Sequence, residues 1–167
     1  MVPNLKHRSL TDFADMSSHD MSALLTKARE LQSASRMGAS QSLLRGKNLG
    51  LLCDAADNAG AALFQRAATA LGAHVAHLRP SLSESSTAQE VQHTARVLGR
   101  LYDAVDCVGM APDLVRRIGV EAGVPVFEGI ASPHHPTARL ASELDPDSRP
   151  EDNRCLVVQA VLLSALA

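Results

Sequence analysis

Apolar side chains first recur at helical spacing at Met21, Leu24, Leu25, Ala28 and Leu31. They follow Ser17-Ser18-His19-Asp20, whose hydroxyls and carboxylate suit a helix N-terminus, and the pattern runs to Gly38. After a polar stretch over 38–42 comes a short apolar run, 48–53, whose length favours a buried strand over a helix. Good helix formers over 61–71 then end at Gly72, which predicts a strand, turn, helix unit. The same alternation repeats: strand two over 74–78, a Ser-rich loop over 79–88, a helix over 89–101, strand three over 104–108, a helix over 113–122 stopped by Gly123, and strand four over 124–127. Pro125 cannot donate to a ladder, which suits an edge strand.

Strands alternating with helices of this length predict an α/β fold of three layers, a parallel sheet of about four strands with helices on both faces. Ligands in such sheets bind at the C-terminal ends of the strands, so the loops that matter are 54–60, 79–88, 108–113 and 129–136. His134-His135-Pro136 is expected to open a helix to about Leu144. The organisation expected is a domain over 1–144, a Pro- and Asp-rich linker over 145–152, and a last helix over 153–167 packing back on the domain, with Val157, Val158, Val161, Leu162 and Leu166 as its apolar face.

Composition narrows the chemistry. The 167 residues carry 16 basic and 18 acidic side chains, a formal charge of −2, which supplies no electrostatic footprint for nucleic acid. Aromatic residues make up only 2%, so base-stacking platforms are excluded and the core must be aliphatic. Cys53, Cys107 and Cys155 are too scattered for a disulfide framework or a metal knuckle, and are expected to be buried free thiols of a cytoplasmic protein. The N-terminus has no uninterrupted apolar stretch of a secretory signal, and the run 155–167 is too short and too polar at Gln159 and Ser164 to span a bilayer, so no membrane partner is expected.

Taken together, several motifs resemble the N-terminal domain of the ornithine carbamoyltransferases. They are Leu44-x-Gly46-Lys47 before the first strand, Leu71-Gly72-Ala73-His74-Val75, Thr94-Ala95-Arg96-Val97-Leu98-x-Arg100-x-Tyr102-Asp103, Gly123-Val124-Pro125-Val126 and His135-Pro136. The opening Leu10-x-Asp12-Phe13 resembles the family's start, and Glu151-Asp152-Asn153-Arg154 with Gln159-Ala160-Val161-Leu162-Leu163 is similar to its last helix. The resemblance implies that 145–150 stands where the family has its amino-acid-binding domain, and that the chain associates as a homotrimer.

The resemblance also assigns a carbamoyl phosphate site. The family's Ser-Thr-Arg-Thr-Arg at a helix N-terminus falls on Asp57, Asn58, Ala59, Gly60 and Ala61, and a third family arginine falls on Val108. The family's His-Pro-Cys-Gln becomes His135-Pro136-Thr137-Ala138, so Ala138 stands in the glutamine position. Three charge-assisted contacts are worth on the order of 5–9 kcal/mol if additive, or roughly three to six powers of ten in affinity. Asp57 is expected to cap the helix and to place a negative charge where the phosphate would sit. Arg139 and Arg66 lie near the vacated positions, but adjacent helix positions point about 100° apart, which argues against rescue.

Other candidates have bland readings. His134 and His135 would need a third ligand to hold a metal, and none is expected. His74 and His77 fall on opposite faces of a strand, Asp54 with Asp57 reads as turn chemistry, and Ser81, Ser83, Ser85 and Ser86 lack a neighbouring base. The resemblance would bring this Ser-rich loop toward a neighbouring subunit, yet the family's Gly-Arg-Gly-Glu-Ser reads Ser86-Thr87-Ala88-Gln89-Glu90. The functional expectation is a noncatalytic carbamoyltransferase-like protein without a cofactor, acting as a homo-oligomer or with a catalytic chain. The alternatives are a carbamoyltransferase active only with a partner chain, and a sensor in which Asp54, Asp57 and Asn58 receive a small amine.

Overall fold

The computed structural model describes residues 16–39, 42–55 and 58–167, so Leu10, Asp12, Phe13 and Asp57 lie outside the described residues. Helix α1 (Ser18–Arg36) begins with a reciprocal cap: Ser17 Oγ accepts from the Asp20 amide at 3.1 Å, and Asp20 Oδ2 accepts from the Ser17 amide at 3.2 Å. Strand β1 (Asn48–Cys53), helix α2 (Ala59–Ala70), strand β2 (His74–Leu78), helix α3 (Ala88–Leu101), strand β3 (Ala104–Val108), helix α4 (Pro112–Ala122) and strand β4 (Val126–Glu128) follow in alternation. A 3-10 segment (Pro136–Glu143) and helix α5 (Pro150–Leu166) complete the chain.

The four strands form one parallel sheet in the order β2-β1-β3-β4. Strand alternation sends Leu49, Leu51 and Cys53 to the face covered by α1, α2 and α5, and Leu52, Val105 and Cys107 to the face covered by α3 and α4. Two apolar cores, aliphatic but for Phe64 and Phe127 on the α1, α2 and α5 side, thus flank the sheet in three layers.

Local capping sets several boundaries away from their expected places. Helix α2 starts at Ala59, two residues early, because Asn58 is its cap: Asn58 Oδ1 accepts from the Ala61 amide at 3.1 Å, which corrects the assignment of that role to Asp57. Thr87 and Glu90 form a second reciprocal cap and start α3 at Ala88. Strand β4 is shifted to Val126–Glu128. Pro125 serves the sheet through its carbonyl, which accepts from the Val105 amide at 3.0 Å.

The expected helix over 134–144 is a 3-10 segment that begins only at Pro136, with the His135 ring as its cap. The expected linker over 145–152 is shorter than its composition suggested. Asp145 ties the turn through Ser148 and the Asp147 amide, and Pro150 opens α5 at its first position, where a missing N–H costs nothing.

Helix α5 also differs in kind. It contacts α1, α2 and the 3-10 segment, and its residues from Val157 to Ala165 are buried without interruption, so this stretch is a core helix rather than one with a single apolar face. Gln159 is accommodated because its amide donates to the Ala67 carbonyl at 3.2 Å, and the Ser164 hydroxyl donates to the Ala160 carbonyl at 2.8 Å.

Candidate functional site

The strand order reverses between β1 and β3, the place where an open parallel sheet leaves a crevice beyond its strand ends. A cavity of about 400 Å³ lies there. Its walls are Asn58, Ala59 and Gly60 at the start of α2, the stretch from Cys107 to Met110 at the end of β3 and beyond it, Glu128 and Gly129 at the end of β4, and Ser132 to His134.

The loop after β4 is held from both sides. Gly129, at φ 58°, takes the left-handed turn that redirects the chain, and the Ser132 amide donates to its carbonyl at 2.8 Å. From β3, Asp106 Oδ1 accepts the Ile130 amide at 3.3 Å; from α5, Arg154 Nη2 donates to the carbonyls of Ile130 and Ser132, each at 3.0 Å. Asp106 is fully buried, and burial pushes its carboxyl up to about 7 against the opposing hydrogen bonds of the Ile130, Gly129 and Cys107 amides. Burial likewise lowers the Arg154 guanidinium from its ordinary value.

Charge in the crevice is acidic. Among its described lining residues no arginine or lysine occurs, and Glu128 contributes a half-buried carboxylate. Arg66 turns away to pair with Asp152 on α5, Arg139 is exposed and outside the lining, and Arg96 faces Glu121 at 3.9 Å. Cys107 borders the wall, but its side chain is packed in the core, and burial pushes the thiol up to about 12, which removes it as a nucleophile.

Of the positions assigned through the resemblance, Asn58, Ala59, Gly60 and Val108 meet at this cavity, whereas Ala61, His135, Pro136 and Ala138 do not line it. His135 is buried. Its Nδ1 accepts from the Thr137 amide at 3.3 Å and lies 2.8 Å from the Thr137 hydroxyl, so the ring proton sits on Nε2. Burial first, and Arg154 second, push its pKa down to about 4 and keep it neutral. Its neighbour His134 is exposed and reaches the cavity instead. Among the described residues no group of three or more His, Cys, Asp or Glu could hold a metal ion, and Cys53, Cys107 and Cys155 are free and buried. His77, exposed at the sheet edge, places Nε2 3.3 Å from the Cys53 carbonyl.

The profile described as "Aspartate/ornithine carbamoyltransferase, carbamoyl-P binding domain" matches residues 8–144. The chain belongs to this carbamoyltransferase family. It is 39% identical over 144 residues to an ornithine carbamoyltransferase of Cutibacterium acnes, a match that covers 86% of this chain and 43% of that protein. The ornithine carbamoyltransferase structure from Pyrococcus furiosus superposes with a TM-score of 0.71 at 27% identity, over 84% of this chain and 45% of that one. The one from Gloeobacter violaceus gives 0.62 at 30% identity, over 82% and 44%. The chain therefore spans less than half the length of the carbamoyltransferases it matches, and the part it shares is their N-terminal, carbamoyl-P binding half.

Glu128 and the two struts Asp106 and Arg154 are the features sequence reasoning missed. Glu128 had a signal, since the last residue of a parallel strand borders the crevice, but it was concealed by ending strand four at Phe127. Asp106 and Arg154 had none: each acts on a loop more than 20 residues away in the chain.

Proposed function

We propose that this chain is a carbamoyltransferase-family protein that does not itself bind or transfer a carbamoyl group. It acts through association, as a homotrimer or beside a catalytic carbamoyltransferase chain in the cytoplasm. The observation that carries the reading is that no arginine occurs among the described residues lining the crevice, while Glu128 does. A doubly charged acyl phosphate held in such a crevice would lose its guanidinium contacts and gain a repelling carboxylate. Each lost charge-assisted hydrogen bond costs about 1.5–3 kcal/mol. The buried, neutral His135 adds no positive charge at neutral pH.

The test is calorimetric titration of carbamoyl phosphate onto the purified chain, with native mass and citrulline formation from ornithine measured alongside. No heat at millimolar ligand, an oligomeric mass and no citrulline are the expected results. Micromolar binding, or citrulline from the chain alone, overturns the reading, and citrulline only after adding a second chain selects the partner-dependent enzyme. Glu128 also favours a second reading, a small amine as ligand, because a carboxylate in a half-buried crevice prefers a cation. Thermal stabilisation by amines and none by phosphates would select it.

A further inference from the structure

A larger cavity, about 610 Å³, opens between the C-terminal half of α1, the end of α2 and the first turns of α5. It shares no lining residue with the crevice at the strand ends. The floor is aliphatic, formed by Leu31, Ala34, Leu71 and Leu156, and its size is that of a small-molecule site.

The rim carries Arg36, Arg66 and Arg149. Arg36 pairs with Asp145, while Arg66 and Arg149 share the one carboxylate of Asp152, Arg149 through Nε at 3.2 Å. Glu151 also acts on Arg66 electrostatically, so the rim is near neutral in charge, but its three guanidinium groups, with five N–H each, keep donors to spare beyond these pairs. The two pairs on Asp152 are exposed, and exposed pairs are weak enough to exchange for a ligand that offers its own oxyanion. Asn153 on the wall is held in place by its amide, which donates to the Asp145 carbonyl at 2.8 Å.

We propose that this cavity is a binding site for a small carboxylate or phosphate monoester with a short apolar body, its anionic end held by Arg36, Arg66 and Arg149 and its body laid over the aliphatic floor. The planar guanidinium fork matches either oxyanion with paired hydrogen bonds. The site is independent of the crevice and of what that crevice does.

The test is NMR titration of the full chain with five probes: hexanoate, hexyl phosphate, inorganic phosphate, hexan-1-ol and hexylammonium. Hexanoate, hexyl phosphate or both bind at least about tenfold tighter than the alcohol and the ammonium ion, with shifts centred on Arg36, Arg66 and Asn153, and the better of the two names the head group. Inorganic phosphate, lacking the apolar body, binds more weakly than hexyl phosphate. Arg66→Ala weakens binding about tenfold or more, and Asp152→Asn, which removes the competing carboxylate, strengthens it. Ala70→Phe, at an exposed helix position on the cavity wall, blocks binding without touching a charge. Equal binding of hexanol and the anions, anion binding unchanged in both Arg66→Ala and Ala70→Phe, or no binding by about 10 mM overturns the proposal.

Discussion

Gly99 sits inside α3, where helix propensity alone says that alanine should stabilise by about 1 kcal/mol. The tertiary structure reverses the sign. A Cβ at position 99 would lie 1.8 Å from the Ala122 carbonyl oxygen and 2.9 Å from its carbonyl carbon, and Ala122 is the last residue of α4. Ordinary contact begins near 3.4 Å, so the two backbones would have to part by about 1.6 Å. Neither obstructing atom is a side chain that could swing aside. Parting them loosens the core formed by Val91, Ala95 and Leu98 against Leu114, Val115 and Ile118. Overpacking against a rigid neighbour costs about 1–3 kcal/mol, and a backbone clash belongs at the upper end. Subtracting the propensity gain leaves Gly99→Ala destabilised by about 2 kcal/mol. Urea unfolding followed by circular dichroism reads this as a lowered midpoint at unchanged slope. Arg100→Ala, one residue on and exposed, serves as control and should stay within about 0.5 kcal/mol. A Gly99→Ala protein as stable as the parent, or more so, refutes the close approach of α3 and α4.

Two further predictions concern the struts beneath the crevice and the last helix. The Asp106 carboxyl, raised from 3.8 to about 7, holds its proton in the folded state where the unfolded chain has lost it, so its contribution declines as pH rises from about 4 to 7, by about 4 kcal/mol in all. Asp106→Asn, which keeps the acceptor for the Ile130 amide, should therefore gain on the parent between pH 4 and pH 8 in parallel urea titrations; a constant difference would refute the burial argument. The lowered His135 acts oppositely, its contribution being complete above 6.5 and lost as pH falls toward 4, and it cancels in that difference. Removing residues 153–167 strips Val157, Val158, Val161, Leu162 and Leu163 from the core, on the order of 8–15 kcal/mol at about 1.5–3 each, comparable to the whole stability of a domain. The product should aggregate or fail to unfold cooperatively, and a monodisperse, cooperatively unfolding monomer in sedimentation and urea titration would contradict this.

The alternation of strands and helices was legible because it rests on short-range rules. The expected bounds of β1, β2 and β3 coincide with the observed ones, since a run of apolar residues between turn formers needs no distant partner to declare itself. The absence of arginine at Ala59, Ala61 and Val108 is likewise covalent fact, readable before any folding. What only the tertiary structure decided is where side chains point and what encloses them. His135 turns inward while His134 takes its place at the cavity, and Arg66 crosses to Asp152. Glu128 enters the crevice, and the Val157–Ala165 stretch of α5 is buried without interruption. Each outcome depends on contacts between elements far apart in the chain, whose mutual placement follows from sheet order and helix packing. A local pattern carries no trace of either.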